Sequence, residues 1–390
     1  MKILFIVFNQ VGRGTYLRAH ELARALTKLG HEMTILASAV QLRAETKIHV
    51  QDGLKIIEVS DRINGPTRAG WDLGNLSARI KAIRSLNFDL VHGFESRPTV
   101  IYPALTLHKK GVSLFLDWAD WFGSKGSIEE RPNLMIRALL RPFENYYETH
   151  FRKLPLGTSV ICRTLAQRAI SLGVPENKVC LLPNGFDVEN WSPISTEQAR
   201  LTLGLAQKQF FVGYLGSFFP NDATLVIDTF NRLTASDSQI KFMHIGYSNY
   251  RVKPGVNHSA AVIETGPKSF QNMQTYLSAC DVLLLPFKNN PANNGRFPLK
   301  FSNYLACGRP IIATDVGDIP HYIKKHRCGI VIEDSPEALV QAIHHLKAHP
   351  DLGSDCGQSA LELSGNPQES WLSRATTLNQ FYSEHIKGKP

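Results

Sequence analysis

Short apolar runs alternate along this chain with amphipathic stretches of helical spacing, and the alternation occurs in two successive series. A run of four to eight apolar residues followed by a helix is the repeating unit of a parallel sheet covered on both faces, so the pattern predicts an α/β fold. The first series places strands at Lys2–Phe8, Glu32–Leu36, Leu54–Val59, Leu90–His92, Leu114–Asp117 and Ser159–Cys162. Its first helix, Thr15 to Leu29, carries Ala19, Leu22, Ala23, Leu26 and Leu29 at helical spacing, and Gly30 supplies a left-handed stop. Turn residues then cluster in Leu181–Pro193 (Pro183, Asn184, Gly185 and Pro193), which marks a domain boundary. The second series places strands at Phe211–Leu215, Ile240–Ile245, Ala261–Ile263, Asp281–Pro286, Pro310–Thr314 and Gly329–Ile332, and the chain closes on a helix over Glu369–Ile386. Two doubly wound domains of this kind bind ligands beyond the carboxyl ends of their strands, in a cleft.

A length of 390 residues exceeds one ordinary core and suits two domains. The apolar start Ile3 to Phe8 is far shorter than the ~20 residues of a membrane span and lacks a secretory cleavage site, so it reads as a buried first strand. The six cysteines are scattered, with no CxxC pair, which favours buried reduced thiols and a cytoplasmic setting over a metal or disulfide framework. Residues 1–190 hold 25 Lys and Arg against 18 Asp and Glu, and the remainder holds 18 against 16. A basic first half admits contact with anionic lipid on the inner face of the membrane or with an acidic glycan. Nucleic acid is excluded as a partner, because no basic cluster is interleaved with aromatics.

Four strand ends are candidates for ligand sites. Gly12 and Gly14 end the first strand and would let a backbone approach a ligand closely. Asp117-Trp118-Ala119-Asp120 ends another, with Trp118 and Trp121 able either to stack on a sugar face or to pack in the core. His92 and Glu95 end a third strand, where His92 reads as a packing histidine. The segment Asn289–Gly308 follows an apolar strand, and a helix is expected from about Leu299 to Ala306 with Pro298 ahead of it and Gly308 behind. Arg296 and Lys300 flank its start, where free amides and the helix dipole already attract a diphosphate. The stretch Arg131–Lys153 mixes apolar and basic residues. Pro142 should break its helix, and Glu144 and Glu148 dilute its charge, which favours core packing over membrane docking.

PLKFSNYLACGRPIIATDVGDIPHYI resembles the donor-binding segment of family-four (group 1) retaining glycosyltransferases. LLPNGFD resembles the interdomain motif of that family, KILFIVF…HELARALTKLGHEMTIL its opening unit, and GYLGS the first glycine turn of its donor domain. The resemblance implies a GT-B fold, two Rossmann-like domains facing across a cleft. Residues 1–185 with a returning C-terminal helix 368–390 would bind the acceptor, and 186–367 the nucleotide-sugar donor. It implies transfer of a sugar from a nucleoside-diphosphate sugar to a hydroxyl acceptor of a glycan, a lipid-linked or a small molecule, in cell-surface or exopolysaccharide synthesis, usually with no metal and no cofactor. On matching positions Lys300 should meet phosphate, and Gly216 and Ser217 should line the same anion through backbone N–H groups; Arg296 is added on charge alone.

The family's Glu-x7-Glu element falls on Gly295 and Asn303, so Asn303 would hold the donor ribose and Asn294 would substitute for the missing carboxylate. Its Asp-x-His-Asp element meets alanine at Ala119, which leaves Asp120, with Asp117, to orient the acceptor or stabilise positive charge on the sugar. These departures also define an alternative: a catalytically silent GT-B protein that binds a sugar nucleotide or a protein partner.

Overall fold

The computed structural model describes residues 1–64, 69–188, 191–192 and 194–387, so Pro193 of the boundary cluster lies outside the described residues. The chain divides into two compact units: Met1–Gly185 with Gly295–Phe297 and the chain from Trp371 onward, and Phe186–Asn294 with Pro298–Ser370.

Among the described residues the first unit contains an eight-stranded sheet. Its strands are β1 (Lys2–Gln10), β2 (Glu32–Ser38), β3 (Lys47–Gln51), β4 (Leu54–Val59), β5 (Leu90–Phe94), β6 (Ser113–Trp118), β7 (Gly157–Val160) and β8 (Val179–Leu181). The order is β3-β4-β2-β1-β5-β6-β7-β8, parallel throughout except for β3 against β4. Apolar residues fill β1 because helices cover both of its faces. β3 escapes the sequence pattern because it is an edge strand with Ile48 and Val50 facing solvent. β8 escapes it because it is only three residues long.

The second unit carries a six-stranded, wholly parallel sheet. Its strands are β9 (Phe210–Leu215), β10 (Ile240–Ile245), β11 (Val262–Glu264), β12 (Val282–Leu285), β13 (Ile311–Thr314) and β14 (Gly329–Ile332), in the order β11-β10-β9-β12-β13-β14. The winding reverses beside β1 in one sheet and beside β9 in the other. Such switch points open a crevice at the carboxyl ends of the strands. The turn after β1 holds Gly12 and Gly14, and the turn after β9 holds Gly216 and Ser217.

The last helix, Trp371–Lys387, returns to the first unit. Phe115 packs on Tyr382 with ring centres 4.8 Å apart, and His31 Nε2 lies 2.9 Å from Asn379 Oδ1. All six cysteines are buried, and none forms a disulfide. The helix Leu134–His150 corrects two expectations: it runs through Pro142 without breaking, and its first turns do not pack in the core. The inward face carries the buried Glu144 and Glu148, with Tyr147 packed on the core, while Leu134, Met135, Leu139 and Phe143 are left outside.

Gly185 passes so close to the start of the returning helix that a Cβ there would lie 2.5 Å from the Trp371 backbone nitrogen. Gly185→Ala should therefore destabilise the first unit by about 1–3 kcal/mol, read as a lower midpoint in chemical denaturation. An unchanged midpoint would show that the crossing relaxes freely.

Candidate functional site

In the second unit, β9 ends in a left-handed glycine, Gly216, at φ +91°. Its own N–H is committed to the Ile245 carbonyl at 2.8 Å, and a Cβ added to it would point at the Lys300 ammonium from 3.6 Å. Gly216 thus contributes open space beside a cation, not the amide donation expected of it. The adjacent Ser217 is exposed, and its N–H has no acceptor among the described residues, while its hydroxyl donates to the Tyr247 carbonyl at 2.7 Å.

Lys300 begins the helix Lys300–Cys307, which Gly308 closes in the left-handed region at φ +64°. Its Nζ sits 3.8 Å from the centre of the Tyr214 ring, itself stacked on Phe218 at 3.8 Å. The cation–π contact fixes the ammonium beside the glycine turn. His244 Nε2 lies 2.8 Å from the Gly216 carbonyl and completes the turn; burial holds that imidazole below its ordinary pKa. Asn303 lies one helical turn beyond Lys300, half-buried, with no side-chain partner among the described residues.

Asn294 is not available to replace a carboxylate. Its amide donates to Asn289 Oδ1 at 2.8 Å and to the Asn290 carbonyl at 2.9 Å, while its oxygen accepts from the Gly317 N–H at 3.1 Å. It ties the loop to itself.

In the first unit the predicted catalytic pair separates into two different roles. Asp117 is wholly buried, and Arg18 clamps it with Nε at 3.1 Å and Nη2 at 2.9 Å. Arg18 also donates to Asn184 Oδ1 at 3.0 Å and to the Leu182 carbonyl at 2.8 Å, and Asn184 passes its amide to the Phe297 carbonyl at 2.7 Å. On the other side Ser159 Oγ donates to Asp117 Oδ2 at 2.6 Å. That serine therefore accepts from His92 Nε2 at 3.3 Å, and His92 Nδ1 accepts from the Tyr382 hydroxyl at 2.5 Å. Burial alone would raise the Asp117 pKa, but Arg18 holds it below the ordinary carboxylate value. Asp117 is a buried structural anion with no face left for substrate.

Trp118 is corrected likewise. It is fully buried, it donates from Nε1 to the Asp120 carbonyl at 2.8 Å, and the Arg152 guanidinium covers its ring at 4.2 Å. No sugar can stack on it.

Asp120 stands differently. Its side chain is 30% exposed, yet Oδ1 is buried without a hydrogen-bond partner among the described residues, 3.6 Å from Arg296 Nε. Burial raises its pKa to about 6; Arg296 opposes the shift, and Glu130 and Glu148 add to it. Glu95, strained at φ +70°, accepts the Ala119 N–H at 2.7 Å and pairs with Arg152 at 3.2 Å, which holds the turn bearing Asp120. Burial pushes the Glu95 carboxyl up to about 8 against the pull of Arg152.

Arg296 corrects another expectation. Both terminal nitrogens of its fork grip Glu130, at 2.9 and 2.6 Å, in the first unit, so it is no simple second phosphate cation. Gly12 remains open, at φ +76° and with no atom within 4 Å of where a Cβ would lie, as an approaching ligand requires. Gly14 is crowded by Asn9, whose Oδ1 accepts the Thr15 N–H at 3.1 Å and caps the first helix. No group of three or more His, Cys, Asp or Glu suited to a metal ion occurs among the described residues.

Arg18, Glu130 and Tyr214 were not singled out by sequence reasoning. Arg18 left a readable trace: a cation at helical spacing from Leu22, on the face that Ala19, Leu22 and Leu26 bury.

Residues 13–190 match the family described as Glycosyltransferase Family 4, and residues 209–349 the family described as Glycosyl transferases group 1. An alpha-galactosylglucosyldiacylglycerol synthase of Streptococcus pneumoniae is 27% identical over 217 residues. That match covers 52% of this chain and 54% of the synthase, so the chain spans about half the length of this curated relative. Sucrose-phosphate synthase of Thermosynechococcus elongatus superposes with a TM-score of 0.78 at 16% identity, covering 100% of both chains. Anabaena HepE in complex with UDP superposes with a TM-score of 0.69 at 15% identity, covering 98% of this chain and 100% of that one. The two parallel-sheet units have the GT-B fold.

The neutral His92 relay makes a pH signature. Burial lowers the His92 pKa from 6.5 to about 4. The unfolded chain therefore binds a proton that the native relay excludes, and stability is lost as pH falls from 6.5 towards 4. A displacement of this size corresponds to roughly 3 kcal/mol. His92→Gln should flatten the dependence of unfolding free energy on pH across that window relative to the wild type; parallel curves would mean that His92 does not titrate with folding.

Proposed function

The chain belongs to the group 1 glycosyltransferases, and on that premise we propose that it moves a sugar, with retention of anomeric configuration, from a nucleoside-diphosphate sugar to a hydroxyl acceptor in cell-surface glycan synthesis. The observation that carries this reading is the Lys300 ammonium held on Tyr214 beside Gly216, with the exposed Ser217 N–H next to it. In the transfer, the bond from the anomeric carbon to a diphosphate oxygen breaks, one to the acceptor oxygen forms, and the acceptor's hydroxyl proton passes to the departing diphosphate. Negative charge collects on the departing diphosphate, and a preorganised cation and amide stabilise it most at that moment. The UDP bound to HepE, a protein of the same fold, supports a nucleoside diphosphate as the leaving group.

Asn303 would hold the donor ribose through its carbonyl and amide, more weakly than a carboxylate, because neutral hydrogen bonds contribute about 1 kcal/mol against about 1.5–3 for charged ones. Asp120, ionised above pH about 6, would face positive charge developing on the sugar ring or orient the acceptor hydroxyl. Its Oδ1, ion-paired to Arg296 at 3.6 Å but without a hydrogen-bond partner among the described residues, supports that role over a purely structural one. The absence of a carboxylate at Gly295 and of histidine at Ala119 favours a second reading, a protein that binds sugar nucleotides without turnover.

Calorimetric titration with UDP, GDP and ADP against the parent nucleosides, followed by a turnover assay on the corresponding sugar donors, separates these readings. Lys300→Ala should weaken the preferred diphosphate about tenfold or more and leave its nucleoside unchanged, and Asp120→Asn should lower turnover at constant nucleotide affinity. Equal loss of diphosphate and nucleoside would remove Lys300 from the phosphate site. Diphosphate binding with no turnover on any donor would favour the silent protein.

A further inference from the structure

Carboxylates gather around the turn that carries Asp120, and all but one are closed by a guanidinium. Arg97 donates to Glu144 at 2.8 Å, Arg152 to Glu95 at 3.2 Å and Arg168 to Glu148 at 3.0 Å. Arg296 donates to Glu130 at 2.9 and 2.6 Å. The Asp120 carboxylate accepts no hydrogen bond from a guanidinium among the described residues, although Arg296 Nε stands 3.6 Å from its Oδ1. That separation is an ion pair, too long for a hydrogen bond. Asp117, three residues earlier, shows the alternative: there Arg18 closes on both carboxylate oxygens, at 3.1 and 2.9 Å.

The difference lies in Glu130. Its two oxygens take both terminal nitrogens of the Arg296 fork, the planar pairing that a guanidinium makes with a carboxylate, and it is Nε that stands towards Asp120. Glu130 ends the 3₁₀ turn Ser127–Glu130, and the loop leading to it is folded on itself. The Ser127 N–H donates to the Trp121 carbonyl at 2.7 Å and the Ile128 N–H to the Phe122 carbonyl at 3.1 Å. Glu148 accepts the Phe122 and Gly123 N–H groups at 2.7 and 3.1 Å, and a Cβ on Gly126 would lie 2.2 Å from the Trp121 carbonyl oxygen. Asp120 and Glu130 are therefore held on one rigid loop, with Arg296 between them. The Arg296 side chain is only 8% exposed, and a buried guanidinium stripped of its acceptor is driven to another. Among the described residues, the other carboxylate in ion-pair range of Arg296 is that of Asp120.

We propose that Glu130 is a positioning residue of the sugar-transfer site: by occupying the fork of Arg296 it stops that arginine from clamping Asp120, and so keeps the Asp120 carboxylate open to substrate. The inference rests on the role given to Asp120 above and is tested apart from it. A crystal structure of Glu130→Leu should show Arg296 donating to both Asp120 oxygens, as Arg18 does to Asp117. In solution, NMR of the full chain labelled at its aspartate carboxyl carbons follows Asp120 through the resonance missing from Asp120→Asn, with no ligand and no turnover. Burial, Glu130, Glu148 and Glu95 favour its protonated form while Arg296 and Arg97 oppose them, which sets a wild-type midpoint of about 6. Glu130→Leu should lower that midpoint by about one pH unit or more. Turnover measured above the midpoint should fall at least about tenfold at unchanged nucleotide affinity. Glu130→Leu/Arg296→Met, which removes the clamp as well, should return the midpoint to the wild-type value or above it and recover turnover, a rescue that a merely structural Glu130 would not permit. Glu130→Gln, which keeps one acceptor, should shift the midpoint the same way by less, and serves if the leucine variant does not fold. An Arg296 that keeps its distance from Asp120 in the Glu130 variants, a midpoint that does not fall, or a turnover loss that Arg296→Met fails to reverse would overturn the proposal. Turnover left unchanged by Asp120→Asn would instead overturn the reading of Asp120 on which it rests.

Discussion

A guanidinium and a carboxylate taken from water singly each cost several kcal/mol, and the first unit removes both by seating Arg18 against Asp117 through two hydrogen bonds. The remaining donors and acceptors of that pair are spent on segments that lie far apart in sequence. Arg18 holds the Leu182 carbonyl and Asn184, and Asn184 in turn holds the Phe297 carbonyl. Asp117 holds Ser159, which continues through His92 to Tyr382 on the returning C-terminal helix. One buried ion pair therefore ties the first helix, the end of β6, the Pro-Asn-Gly turn, the 295–297 segment and the last helix into a single unit. It explains why that segment and that helix group with the first unit although the chain reaches them through the second.

The consequence for chemistry is a division between two neighbouring aspartates. Asp117 is consumed in holding the fold, whereas Asp120, three residues on, keeps an oxygen with no hydrogen bond among the described residues, beside Arg296, and a raised pKa. Glu95 and Arg152 fix the turn between them. In the second unit the proposed anion site rests on Lys300, the Ser217 amide and Asn303: Arg296 belongs to the first unit, where Glu130 engages it, and Asn294 is held by its own loop. A site with one ammonium places correspondingly more weight on its preorganisation, which Tyr214 and the left-handed Gly216 supply.

The parallel architecture was legible because every strand buried on both faces must be apolar, and β1, β2, β9 and β10 are. β3 was not, since an exposed edge strand leaves no such record. The proximity of Lys300 to the Gly216 turn was legible, because both stand at the end of a parallel sheet where strand carboxyl ends and helix starts meet. The fates of Asp117, Trp118 and Arg296 were hidden, because each depends on a partner distant in sequence: Arg18, Arg152 and Glu130. The helix Leu134–His150 misled for a related reason. Its periodicity shows that one face is apolar, and periodicity alone does not say which face the buried glutamates turn inward.

The central claim is that the Arg18–Asp117 pair holds the first unit together. A double-mutant cycle with Arg18→Met, Asp117→Leu and the combined variant, followed by equilibrium unfolding, tests it most directly. Each single change should cost about 3–5 kcal/mol by stranding its partner in the interior, and the combination should cost far less than their sum. If Asp117→Leu instead unfolded like the wild type and lost only sugar transfer, Asp117 would be a catalytic group, and the account given for the first unit would be wrong.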